Sequence, residues 1–406
     1  MIHMTRTTIA TTLGWFLVLM LLPLSAAIGS GASIVAMLAA LLFAPFVLNR
    51  EAASAIWQQP AMVIFIAAPL VLAAAFAVTA QAPADVRYAA NFLSLPLAAI
   101  VYLVARRVNL PNVTMTLAIL CLAGALVAAI ISVYDVFVLH KVRFIGHYMG
   151  PNVLARLALL MGFIGMIGIF VTRSRWRYML YLGPFAALLT IYLSGTRGAL
   201  VIFPALAAIY GVFLVTDRTE RNPVHALLCA AVLAFALFTL TSDRMASIGW
   251  IAGNLAAGAD SGDNATSVRL AFLSGAWELF QGAPLLGFGW ANFARVAIPV
   301  VGVELIGSPD NWIFQFHNDL ANFAVAAGIV GIALLAALVL APLLGVWRMP
   351  RDGAFRLRLY CCLTLSAWVG ISGLTDLTLG YDLPTTLYAF LTAIVLGAPL
   401  TQGRDG

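Results

Sequence analysis

Residues 60–80 read PAMVIFIAAPLVLAAAFAVTA, twenty-one consecutive positions without a charge, a carboxamide or a histidine. As a helix this run is about 30 Å long at 1.5 Å per residue, which matches the hydrocarbon thickness of a bilayer. A membrane barrel strand would alternate polar and apolar positions, and this stretch does not. The chain is therefore expected to be an all-α polytopic membrane protein. Composition agrees: of 406 residues, 63% are hydrophobic and 9% charged, where soluble domains average roughly 45–50% and 25%.

Outward from that run, apolar segments of spanning length recur at about 10–29, 30–48, 88–105, 112–134, 151–172, 178–195, 198–216, 224–241, 320–346, 356–377 and 383–400. About twelve transmembrane helices are expected, with both termini on one side. They leave no room for a large soluble catalytic domain. Ala26-Ala27-Ile28-Gly29 has the small residues of a signal-peptidase site, but a second span follows at once, so the first helix is expected to stay uncleaved. The chain divides into residues 1–241 with nine spans, a long connection at 242–319, and residues 320–406 with three.

Basic residues set the orientation. Fourteen of the 22 fall in connections on the side of the amino terminus, among them Arg106, Arg107, Arg173, Arg175 and Arg177; seven fall opposite, and Arg156 lies inside a span. The positive-inside rule then puts both termini in the cytoplasm and the 242–319 connection outside. This distribution also explains the net charge of +6 in a chain with only 9% charged residues better than nucleic-acid binding does. The four cysteines, Cys121, Cys229, Cys361 and Cys362, lie in apolar segments and form no disulfide framework.

The long connection is one a helix bundle does not need, and lengths of that order are usually functional or disordered. Within it, Ser267 to Phe280 places Val268, Phe272, Leu273, Leu279 and Phe280 at roughly helical spacing. This predicts an amphipathic helix on the membrane surface, ended by Gly282-Ala283-Pro284.

Three outer connections concentrate chemistry. Ser194-Gly195-Thr196-Arg197-Gly198 turns between two spans, so Arg197 lies near the outer boundary. Its planar guanidinium suits phosphate oxygens, and Gly195 and Gly198 allow backbone amides to approach a ligand. The alternative is an arginine that snorkels to lipid headgroups. Lys141 to Asn152 adds Arg143, His147 and Asn152 ahead of a span that contains Arg156. The long connection supplies Arg269, then Phe314-Gln315-Phe316-His317-Asn318-Asp319. Several outer arginines beside one histidine suit an anionic, phosphate-bearing lipid, although single histidines are more often structural. HExxH, CxxC, DxD, GxSxG and GxxxxGK[ST] are all absent, so neither metal nor cofactor is expected.

The combination of Ser194–Gly198, Arg269, Gly287-Phe288-Gly289, His317-Asn318 and Gly328-Ile329-Val330-Gly331 resembles the O-antigen ligase family of bacterial inner-membrane proteins, over roughly the second half of the chain. The resemblance implies about twelve spans, a long periplasmic loop, and transfer of a glycan from undecaprenyl diphosphate to a sugar hydroxyl of lipid A-core. One departure stands out. Many relatives carry an acid nine positions after the histidine, where this chain has Ala326; Asp319 and Glu304 are the nearby substitutes.

The chemistry expected is an inverting-type direct displacement. Arg197 and Arg269, with Arg143 assisting, would stabilise the departing diphosphate. His317 would either take the acceptor proton or hydrogen-bond a phosphate, with Asn318 in support. Membrane lipids, the lipid-linked glycan and lipid A-core are the expected partners. An O-antigen polymerase would carry two sizeable outer loops. A protein O-oligosaccharyltransferase would be longer and carry a soluble tail, whereas Gly406 follows the last expected span directly. A transporter or flippase would show mid-bilayer ionisable residues and interrupted helices, of which the sequence displays only Arg156 and a few prolines.

Overall fold

The computed structural model describes residues 21, 23–107, 112–141, 149–217, 222–241, 254 and 264–400, all helical or irregular with no strand among them. In chain order the α-helices are α1 (Ser30–Val47), α2 (Arg50–Trp57), α3 (Pro60–Thr79), α4 (Ser94–Arg107), α5 (Val113–Val133), α6 (Pro151–Gly165), α7 (Leu182–Ser194), α8 (Arg197–Thr216), α9 (Pro223–Thr239), α10 (Asn264–Gly282), α11 (Phe293–Val301), α12 (Val303–Ile306), α13 (Asp319–Trp347), α14 (Phe355–Thr375) and α15 (Asp382–Gly397). Helices α3, α6 and α9 each begin on a proline, where the missing N–H costs nothing. The expected span starts at 60, 151 and 224 fall within a residue of these positions.

Eight described segments are long and apolar enough to cross a membrane, including Pro60–Thr79, Pro151–Phe170, Arg197–Thr216, Asp319–Trp347 and Phe355–Thr375. Helices α7, α9 and α15, at 13, 17 and 16 residues, fall below that length. The first expected span lies largely outside the described residues. Packing forms two groups: α1, α3, α4 and α15 with α13, and α5, α6, α7 and α8 with α14. Contacts of α13 with α14 join them. Segment Pro151–Phe170 has 94% of its apolar window buried, against 39–67% for the other seven, so α6 is the inner helix of the second group.

Two findings add to the expectations. First, the helix expected at Ser267–Phe280 is present as α10, and one face of it packs against α11 and α13. Phe272, Gly275, Ala276 and Leu279 are buried while Leu273 points out. Gly275 sits on the inner face because the Val301 side chain occupies the space a Cβ would take. Second, one span is interrupted. Within α13, Ala327 and Gly328 leave helical geometry, with φ of −142° and 59°. The segment Pro284–Gly289 plugs the break: the Phe288 and Gly289 amides donate to the Val325 and Ala326 carbonyls at 2.8 and 2.9 Å, and the Ile329 amide donates to the Pro284 carbonyl at 2.8 Å. Backbone groups freed inside a membrane must find partners, and here a loop supplies them. Protein fills this break, so it carries no sign of a transport pathway.

Candidate functional site

The site lies at the end of the bundle where α6, α8 and α13 begin and α14 ends. Helix α7 stops at Gly195 in the left-handed region, φ 64°, and the Gly195 and Thr196 amides both return to the Ile191 carbonyl. This closure lets the chain reverse at once, so Arg197 is the first residue of α8. At Gly198 a Cβ would stand 3.1 Å from the Thr375 Cβ; its absence lets α8 begin hard against the end of α14. Arg197 and Arg269 are both half-buried and line one polar pocket of about 500 Å³ together with Asn152, Arg156, Thr196, Thr375 and Asp376.

Arg269 is aimed by its own helix. Phe272, three residues later and on the same face of α10, stacks on the His317 ring at 6.2 Å and packs edge-on against Phe314 at 5.3 Å. Phe314 and Phe316 are buried in this aromatic cluster, which includes Phe293. They hold the segment in place, and Phe272 is the ring that covers the imidazole.

His317 has φ 52°, a left-handed conformation costing a non-glycine residue roughly 1–2 kcal/mol. Its neighbours impose that conformation. Asn318 caps α13, accepting from the Ala321 amide at 3.0 Å and donating to the Leu374 carbonyl at 2.9 Å. Asp319 accepts from the Thr378 and Leu379 amides at 2.8 and 3.1 Å. The imidazole Nδ1 meets Asp376 Oδ1 at 2.8 Å, and 38% of the side chain remains exposed. With Nδ1 so engaged, Nε2 is the nitrogen left to take a proton.

Asp376 is the residue that sequence reasoning missed. It follows α14 directly and also accepts from Asn152 Nδ2 at 3.2 Å and Arg156 Nη2 at 3.3 Å. Burial pushes its carboxyl up, but the His317 hydrogen bond and the Arg156 charge outweigh that and hold it at about 2. Asp319, one of the two substitutes considered for the acid absent at Ala326, is committed to backbone amides; Asp376 is the carboxylate on the histidine. The only prior signal was an acid at the very end of the eleventh apolar run, 356–377. Arg143 lies outside the described residues.

Below the polar pocket an apolar groove of about 780 Å³ runs between α7, α8 and α9, lined by Leu200, Phe203, Pro204, Val232 and Leu237 and reaching Tyr181 and Tyr210. Arg197 lines both cavities. Among the described residues no group of three or more His, Cys, Asp or Glu is placed to hold a metal.

A family model described as O-antigen ligase matches residues 182–336. That segment is similar to the family the motifs resemble; it runs from α7 into α13 and contains Arg197, Arg269, His317 and the Ala327-Gly328 break. Asn152, Arg156 and Asp376 lie outside it. The match implies an O-antigen ligase or polymerase type of activity in a multi-pass membrane protein. No curated protein matches the chain.

Proposed function

We propose that this chain transfers a glycan from undecaprenyl diphosphate to a sugar hydroxyl of lipid A-core, at the periplasmic face of the bacterial inner membrane and without a metal. The observation that carries the reading is Arg197, shared between a polar pocket and an apolar groove. A donor with a doubly charged head and a polyprenyl tail needs that adjacency: the head against Arg197 and Arg269, the tail along α8 and α9. Arg143 is a further cation for the head.

In the reaction the bond between sugar C1 and the phosphate oxygen breaks, and that oxygen keeps the electron pair. The acceptor oxygen forms the new bond to C1 from the opposite face, and its proton passes to His317 Nε2. The arginine pair stabilises the departing charge, generally the largest catalytic contribution. The histidine adds about 10²–10⁴ in rate as general base. Asp376 keeps the imidazole proton on Nδ1, so that Nε2 faces the acceptor bare.

The test is incubation of purified protein with a lipid-diphosphate glycan and lipid A-core in the presence of a chelator. The joined product is expected. Extension of one lipid-linked glycan by another, with lipid A-core untouched, would make the chain a polymerase and overturn the acceptor assignment.

A further inference from the structure

Arg156 lies inside a span, is 2% exposed, and borders the pocket that holds Arg197 and Arg269. A third arginine there suggests a third phosphate ligand, but its hydrogen bonds exclude that role. A guanidinium has five N–H donors, and this one spends all five within the protein. Nε donates to the Asn152 carbonyl at 3.1 Å; Nη1 to the Thr378 hydroxyl at 2.9 Å and the Ser372 carbonyl at 3.4 Å; Nη2 to Asp376 Oδ2 and the Leu377 carbonyl, each at 3.3 Å. The indole of Trp368 in turn donates to the Arg156 carbonyl at 2.8 Å. Full satisfaction is what makes a buried charge tolerable. It also leaves no donor for a ligand.

The same accounting applies to Asp376. Oδ1 receives the Leu377 amide at 2.9 Å and faces His317 Nδ1; Oδ2 receives Arg156 and Asn152. Arginine and a backbone amide can only donate. The Asn152 carboxamide must present its NH₂, since its oxygen would confront the carboxylate. Every site on Asp376 is thereby an acceptor, and Nδ1 must be the donor.

We propose that Arg156 is a positioning residue that, with Asn152, pins Oδ2 of Asp376 so that Oδ1 fixes the His317 proton on Nδ1 and leaves Nε2 free. This rests on the reading of His317 as the proton acceptor, and it adds the element that sets the tautomer from a helix outside the segment matched by the family.

The primary test is ¹⁵N NMR of histidine-labelled protein at a pH where imidazole is neutral. The chain has five histidines, and His317→Ala identifies the signal. The parent is expected to show a protonated Nδ1 and a bare Nε2. Arg156→Gln should collapse this to a mixture of tautomers, and Arg156→Lys, which keeps the charge, should retain more of it. Preservation of the parental signature in Arg156→Gln overturns the proposal. This arm needs no turnover, so it decides the proposal even if the transfer reading fails.

In the transfer assay, Arg156→Gln should lower kcat by about tenfold or more, within the range of a general base's contribution, at unchanged donor KM. A raised donor KM at unchanged kcat would make Arg156 a phosphate ligand. The charge-neutral pair Arg156→Gln/Asp376→Asn should be no slower than Asp376→Asn alone, and it also serves if the single glutamine variant fails to fold. Losses that multiply in the pair would mean Arg156 acts independently of Asp376, contrary to the proposal.

Discussion

In the proposed donor site, Arg197 and Arg269 are two half-buried cations lining one pocket, and gripping a diphosphate there calls for their planar forks. A lysine keeps the charge but offers a single rotating ammonium. Arg197→Lys and Arg269→Lys should therefore each lower transfer by about tenfold or more, given the roughly 1.5–3 kcal/mol carried by hydrogen bonds to charged groups, with expression unchanged. Normal transfer by both would make them headgroup anchors. Asp376 gives a pH prediction. Its folded value of about 2 lies below the roughly 3.9 of an unfolded aspartate, so it contributes stability above pH 4 that is lost as pH falls toward 2. The parent's thermal midpoint should thus fall more steeply over that interval than that of Asp376→Asn; equal slopes would contradict the account. Arg197 stood out in the sequence because its connection is short, and Arg269 and His317 because they are a cation and an imidazole within the one long connection. Asp376 did not, because its partners His317 and Arg156 lie 59 and 220 positions away, and no local spacing records such a meeting.

Helix α13 carries the clearest departure at the scale of an element. Its apolar window has a mean hydropathy of 2.8, so the sequence reads it as one uninterrupted span. Only the docking of Pro284–Gly289 into the break at Ala327-Gly328 shows that the glycines at 287, 289, 328 and 331 belong to one structural unit. At Gly328 a Cβ would run into the Leu285 carbonyl group, and φ is +59°. Gly328→Ala is therefore expected to lower stability by at least about 1–2 kcal/mol, read as a fall in thermal midpoint. Gly211→Ala, where a Cβ meets nothing within 4 Å, should not lower it. Equal effects would mean that the break is not fixed by its plug. Other element boundaries were legible where chemistry marks them, as with the prolines that open α3, α6 and α9.

Across the whole molecule, the residues drawn into the pocket come from connections that alternating spans place on one side. The asymmetry of basic residues is the ground on which we propose that this side faces the periplasm. In a background lacking Cys121, Cys229, Cys361 and Cys362, Ser308→Cys should react with a membrane-impermeant thiol reagent from outside, and Gly353→Cys should not; both positions are exposed. The reverse pattern would move the site to the cytoplasm. The apolar groove beside Arg197 was not legible at all, since its walls come from three helices whose packing the sequence does not display. In the proposed mechanism groove, arginines and histidine divide the labour between donor and acceptor, and that division is tested most directly by measuring donor affinity alongside turnover in His317→Ala. The account predicts donor binding close to the parent's with transfer lost by at least about 10². Collapse of donor affinity with normal turnover per bound complex would make His317 a phosphate ligand and contradict it.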